Sequence, residues 1–104
     1  MSSTDLEATS LELRAGMFGA LGDPIRLSVL DELSGDQRCV CELQEALGIA
    51  PNLLSYHLRI LREAGLVETS RRGRWVDYRL SDDAAAIVTA ALPAPLAEST
   101  VVTA

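Results

Sequence analysis

Cys39 and Cys41 are the two cysteines of the chain, and one residue separates them. Thiolates are soft donors that bind soft metal ions and thiophilic metalloids. Two of them this close converge on one atom if the backbone turns between them, as it does at a helix start. Unpaired N–H groups and the helix dipole there favour the thiolate, and Arg38 adds a nearby positive charge. The spacing closes too small a loop to restrain the unfolded chain, and a disulfide across it would be strained. Thiol oxidation is therefore the weaker chemical reading, and the plain alternative is a pair of small buried hydrophobes. A second group lies downstream. Asn52, Ser55, Tyr56, His57 and Arg59 precede Arg71, Arg72 and Arg74 around Gly73, and these residue types bind phosphates and read base edges.

The net charge of −6 argues against a polyanionic partner until its distribution is considered. Residues 52–80 carry a net +3, between −6 upstream and −3 downstream. A local basic patch on an acidic body still binds nucleic acid. All 9 basic residues are Arg, a usage that a GC-rich genome also produces. A length of 104 residues fits one domain, and 48% hydrophobic content predicts a folded chain. No apolar run reaches the roughly 18 residues of a membrane span. Residues 1–7 lack a basic start followed by an apolar core, so a cytoplasmic protein is expected. No Ser/His/Asp set, Gly-rich phosphate loop or metal-hydrolase motif is present, which argues against an enzyme.

Elements able to position these groups follow from periodicity and punctuation. Residues 1–10 read as a flexible arm, 11–92 as the folded domain and 93–104 as a flexible tail. A helix fits 11–21, with Leu13, Met17, Phe18 and Leu21 on one face. Gly22 ends it, and Asp23-Pro24 restarts the chain as N-cap and first helical residue. The second helix reaches Leu33, with Leu27, Leu30 and Leu33 inward. Residues 37–40 form a short, ambiguous extended segment. A short helix follows at 41–47 with Leu43 and Leu47 buried and Gly48 as its C-cap. After a tight connection, a longer helix runs over 51–64 with Leu54, Leu58 and Leu61 as its inner stripe, closed by Gly65. Two strands, 66–70 and 75–80, flank the Arg-rich tip. Val76, Tyr78 and Leu80 share one face of the second, and Trp75, Asp77 and Arg79 the other. Ser81 and Asp82 cap a last helix reaching Leu92, which Pro93 and Pro95 end.

Short helix, tight turn, longer helix and Arg-rich hairpin, in that order, describe a mainly α winged helix-turn-helix with a β-hairpin wing. The longer helix keeps its leucines in the core and turns Asn52, Ser55, Tyr56 and Arg59 outward. His57 lies at the border of the stripe, as a DNA contact or a packing residue; with no second histidine in the chain it is not read as a metal ligand. Arg71, Arg72 and Arg74 suit phosphates or a minor groove. A helical domain with a merely solvated hairpin is the alternative.

The chain resembles the ArsR/SmtB family of metal- and metalloid-sensing bacterial repressors from about Leu13 to Leu92. The residues that carry the resemblance are Ala20-Leu21-Gly22-Asp23-Pro24-Ile25-Arg26-Leu27, Cys39-Val40-Cys41-Glu42-Leu43, Leu54-Ser55-Tyr56-His57-Leu58-Arg59-Ile60-Leu61, Ala64-Gly65-Leu66-Val67 and Gly73-Arg74-Trp75-Val76-Asp77-Tyr78-Arg79-Leu80. The resemblance implies a homodimer built on the first and last helices, bound to an inverted-repeat operator in double-stranded DNA. It needs no cofactor to bind, and a thiophilic inducer at Cys39 and Cys41 releases it. Within the family, Cys-Val-Cys before an acid and Leu marks arsenite and antimonite sensors, and also occurs in sensors of cadmium, lead or zinc. Position 44 is Gln rather than a third thiol, no cysteine lies in the N-terminal arm, and Asp82 and Asp83 have no histidine beside them. Trivalent arsenic or antimony, which needs three ligands and accepts a small thiol or water as the third, is the inducer expected ahead of other thiophilic ions.

Overall fold

The computed structural model describes residues 3–99. In chain order the elements are α1 (Ser3–Leu21), α2 (Pro24–Glu32), β1 (Arg38–Cys39), α3 (Val40–Leu47), α4 (Pro51–Glu63), β2 (Val67–Arg72), β3 (Trp75–Leu80), α5 (Ala84–Ala91) and α6 (Ala94–Ser99). The fold is mainly helical, with an antiparallel sheet of strand order β1-β3-β2. Among the described residues, no helix is long and apolar enough to cross a membrane.

The core forms where helix stripes meet the base of the sheet. Leu54, Leu58 and Leu61 of α4 pack with Val29, Leu33, Leu43, Leu66 and Val67, and α1 contributes Met17 and Ala20. Asp23 caps α2 through its side chain, with Pro24 at the first helical position. Gly48 ends α3 at φ +64°, a conformation that a side chain disfavours. It turns the chain directly into α4.

Four expectations change. The first helix begins at Ser3 rather than Leu11, and a short helix, α6, follows Pro93 within the expected tail; residues 1–2 and 100–104 of the arm and tail lie outside the described residues. Leu13 and Phe18 are exposed, Leu13 at 72%, while Met17 and Ala20 are the positions of α1 that enter the core. Leu27 is 49% exposed. The inward face of α2 runs through positions 26, 29, 30 and 33, and the presence of Arg at the first of these disguised the register. Finally, neither Ser81 nor Asp82 caps α5: its N-cap is Asp83, without a side-chain bond.

The hairpin is tighter than its sequence suggested. Pairing continues to Arg72 opposite Trp75, leaving Gly73 and Arg74 as a two-residue turn, with Gly73 at φ +60° as such turns require. Asp77 of β3 is 2% exposed, whereas Trp75 and Arg79, which share its face by alternation, are more open to solvent. Arg72 explains this: its Nε and Nη2 donate to the two carboxylate oxygens of Asp77, and Gln37 Nε2 donates to Oδ2 at 3.3 Å. A carboxylate bonded on both oxygens is tolerated in a buried position. The Arg72 hydrogen bond is the largest influence on the Asp77 carboxyl, which together with the Arg72 charge outweighs burial and holds it below its ordinary value of 3.8.

A carboxyl with a depressed folded pKa contributes stability that is present above its unfolded value and lost as pH falls through the folded one. Asp77→Asn is therefore expected to be less stable than the parent at neutral pH, with the difference shrinking once pH drops below about 3.8. Urea unfolding across a pH series checks this; a difference that stays constant into acid would rule the ion pair out as its source.

Candidate nucleic-acid interface and thiol site

Burial of the leucine stripe decides which residues α4 presents. Asn52, Ser55, Tyr56 and Arg59 are all exposed. The Arg59 guanidinium lies 5.8 Å from the centroid of the Tyr56 ring, a cation–π contact that holds both over the outer face. Together with Arg62 and Tyr78 of β3 they line a cleft of about 430 Å³ between α4 and the wing. Sequence reasoning missed Arg62 and Tyr78. Arg62 is found by continuing the outward face of α4 one turn beyond Arg59. Alternation grouped Tyr78 with Val76 and Leu80, and only its place in the cleft beside α4 reveals its half-exposed edge.

Ion pairing sorts the arginines of the basic segment. Arg72 is engaged by Asp77, and Arg79 by Glu68 and Asp82. Among the described residues, no ion pair involves Arg59, Arg62, Arg71 or Arg74. The last two stand exposed at the wing tip. Two of these cations, Arg59 and Arg62, line the cleft, and the other two extend from the hairpin tip. Arg72, expected as a contact, has its charge offset internally, although 61% of its side chain is exposed.

His57 does not join the outward set. It is 4% exposed, with Nδ1 2.9 Å from Arg26 Nη1 and 3.9 Å from Asp23 Oδ1. Its position on α4 falls beside Leu54 and Leu61, on the buried side. The packing alternative therefore describes it, and direct base contact does not. Asp23 sits beside it as the cap of α2. Burial, the largest influence on its carboxyl, works to raise the pKa; the N–H groups of Arg26 and Ile25 and neighbouring positive charge outweigh it and bring the pKa below 3.8.

The cysteines occupy the junction of β1 and α3. Cys39 is the N-cap of α3, in extended conformation at φ −77° and ψ 162°. Its Sγ accepts from Glu42 N at 3.4 Å, and Glu42 Oε1 accepts from Cys39 N at 2.9 Å, a reciprocal capping box. Cys41 lies one residue into the helix, so the chain turns between the two and brings their sulfurs together. The structure pairs them as a disulfide with Cα atoms 5.4 Å apart, inside the usual range. The spacing permits this pairing because the extended-to-helical transition falls between the two residues. Cys39 is buried and Cys41 exposed. Cys41 opens onto a shallow depression with Gln44, Glu45, Gly48 and Ile49. Among the described residues, no group of three or more His, Cys, Asp or Glu could hold a metal ion. Cys39 also faces Asp77 across the sheet, as Arg38 faces Tyr78, so the thiol site is tied directly to the wing.

Residues 23–69 match the family model described as bacterial regulatory protein, arsR family. The chain is 43% identical over 72 residues to the HTH-type transcriptional repressor SmtB of Mycobacterium tuberculosis, covering 69% of this chain and 53% of SmtB. It is 40% identical over 67 residues to the arsenical resistance operon repressor of Bacillus subtilis, covering 64% of each. The chain thus spans about half the length of SmtB. Among solved structures, NolR of Sinorhizobium fredii aligns with a TM-score of 0.70 at 33% identity, over 86% of this chain and 89% of NolR. With its helix-turn-helix, its hairpin wing and these relatives, the chain belongs to the ArsR family of bacterial regulatory proteins, winged helix-turn-helix DNA-binding regulators rather than enzymes.

Proposed function

We propose that this chain is a homodimeric transcriptional repressor that binds an inverted-repeat operator and is released by trivalent arsenic or antimony at Cys39 and Cys41. One observation carries the DNA half. Of the arginines in residues 52–80, Arg59, Arg62, Arg71 and Arg74 enter no ion pair among the described residues; the first two line the cleft beside the outer face of α4, and the last two are exposed at the wing tip. α4 enters the major groove with Asn52, Ser55 and Tyr56 toward base edges, while Arg71 and Arg74 hold phosphates or a minor groove. The wing tip and the reading helix should then separate in their effects. Arg71→Ala and Arg74→Ala are expected to weaken binding to all sequences and to reduce the slope of log affinity against log salt by about 0.9 per lost phosphate contact. Arg72→Ala should change that slope less and destabilise the wing instead. Fluorescence anisotropy across a salt series reads both; wing-tip variants with unaltered affinity and slope would sink this docking.

Pairing of two copies is supported by apolar surface that this chain does not cover. Leu11, Leu13 and Phe18 of α1 are exposed. A groove of about 490 Å³ runs between α1, the end of α4 and α5, lined by Leu13, Met17, Ile60, Ile87 and Ala91 among others. A contiguous apolar groove on so small a domain fits a protein partner, and a second copy presents the same helices in a closed, self-complementary contact. Sedimentation should give a dimer at micromolar concentration without ligand, and Leu13→Glu should shift it to monomer. A parent protein that sediments as a monomer would remove the dimer.

Inducer action is supported by the position of Cys39, whose sulfur caps α3 and whose backbone pairs with β3. An arsenic atom bonded to that sulfur competes for the lone pairs that receive Glu42 N–H. N-cap bonds are worth about 0.5–2 kcal/mol, comparable to the roughly 1–3 kcal/mol of ordinary allosteric coupling. The relative named arsenical resistance operon repressor makes this inducer class the first to try. A second reading is favoured by the disulfide pairing of the same residues: a thiol sensor in which two thiols give two protons and two electrons to a peroxide, yielding the disulfide and two waters. Cys39→Ser and Cys41→Ser should bind operator within several-fold of the parent and lose release by arsenite. Arsenite sensitivity retained in both variants would exclude the metalloid reading. Release by peroxide alone, reversed by reductant, would select the oxidation reading.

A further inference from the structure

Arg26 occupies an inward position of α2, and its guanidinium joins two other helices. Nε donates to Ala20 O at 2.7 Å and Nη2 to Gly19 O at 3.1 Å, both carbonyls in the last turn of α1, where helix geometry leaves such groups short of donors. Nη1 lies 2.9 Å from Nδ1 of His57 in the middle of α4. A guanidinium only donates, so this nitrogen of His57 must accept, which leaves the ring N–H on Nε2. Asp23 fixes the base of the joint: its Oδ1 accepts from the N–H groups of Ile25 and Arg26 at 2.8 and 3.1 Å. Asp23 Oδ1 also lies 3.9 Å from His57 Nδ1, and the apolar part of this junction is the core cluster that holds Met17, Ala20 and Val29 with Leu54, Leu58 and Leu61. Apolar packing sets which side of α4 faces the core, but being non-directional it holds the exact rotation within that side only loosely. A charge-assisted hydrogen bond has a preferred direction and holds it more closely. The residue that precedes His57 is Tyr56, whose ring lies 5.1 Å from the imidazole and which lines the outer cleft.

We propose that Arg26 and His57 are positioning residues that set the rotation of α4 relative to α1, and so aim Ser55, Tyr56 and Arg59, without either touching DNA. The inference rests on the DNA-reading function proposed above. In a dimer built on α1, the same joint carries the geometry of the pair into each reading helix. The two residues share one bond to α4, so removing either breaks the same link between α1 and α4.

The test uses the full chain and two DNA probes: the duplex that the parent protein enriches from a random pool, and the unselected pool itself. Arg26→Lys keeps the charge, but a single ammonium cannot span both α1 carbonyls and the ring. His57→Leu removes the acceptor at similar bulk, whereas His57→Asn restores an oxygen near the place of Nδ1. Arg26→Lys and His57→Leu are expected to lose about tenfold or more in affinity for the selected duplex, the size of one charge-assisted hydrogen bond. Affinity for the unselected pool and its salt slope should stay unchanged. His57→Asn should recover most of the loss, and the double variant Arg26→Lys/His57→Leu should be no worse than the weaker single. In the free protein, amide exchange should rise across residues 51–63 in both damaging variants and stay unaltered across 40–47. Unchanged exchange, an equal loss on both probes, or His57→Asn as damaging as His57→Leu would overturn the proposal. If Arg26→Lys does not fold, the His57 pair decides. If the parent enriches no duplex, the DNA-reading function fails, and the exchange measurement still decides whether the joint holds α4.

Discussion

Leu54, Leu58 and Leu61 are almost completely withdrawn from water, each burial contributing about 1.5–3 kcal/mol. Their alignment on one side of α4 is the constraint from which the remaining geometry follows. A helix of 13 residues that gives this side to the core has only the opposite side to offer a ligand, and Asn52, Ser55, Tyr56, Arg59 and Arg62 occupy it. The helix has no side-chain cap at Ala50, so its start is held by Pro51 and by the tight turn after Gly48. Packing, more than local propensity, keeps it in place.

Charge is distributed with the same division. The body is acidic, and the positive segment lies on α4 and the hairpin. Within it, Asp77 draws Arg72 into the structure, and Glu68 with Asp82 draws Arg79. The Asp77 pair is nearly dry on the acid side and wet on the basic side. Its role is conformational: it anchors β2 to β3 one residue before the turn, so that Arg71 and Arg74 extend from a defined tip. An acidic residue in a basic segment thus shapes the surface proposed above to meet DNA.

Most of the architecture was legible because its determinants are local. Asp23-Pro24, Gly48 and Gly65 mark helix ends, and the leucine spacing of α4 identifies its inner face without tertiary information. Three features were not legible, each for a tertiary reason. Arg26 stands on an inward position, which shifted the apparent stripe of α2 onto Leu27. The acceptors that make Arg26 tolerable there belong to α1 and α4, remote in sequence. Alternation alone groups Asp77 with Trp75 and Arg79, and only the bidentate reach of Arg72 makes its burial affordable in energy. His57 was placed at a border that the sequence could not resolve, because the burial of a residue at the edge of a stripe depends on which neighbour packs there. For the cysteines, the spacing was informative but the backbone between them was not: the step from strand to helix falls on Val40, and that step brings the sulfurs together.

Position explains why a thiol at residue 39 could govern the whole reading surface. Polar contacts orient what apolar contacts merely gather, and two polar anchors flank the helix-turn-helix. On one side, Arg26 ties α4 to α1. On the other, Cys39 caps α3 with its sulfur and pairs through its backbone with Asp77, the residue that holds Arg72 and with it the wing. Cys39 therefore joins the cap of α3 to the sheet of the wing. A reagent on Cys41 alone would touch an exposed first turn. Recruiting Cys39 as well draws on the bond that starts α3 and on the strand that steadies β3. On the proposed reading, this accounts for a sensor built from two unequal thiols, one exposed to capture the reagent and one buried to transmit its binding.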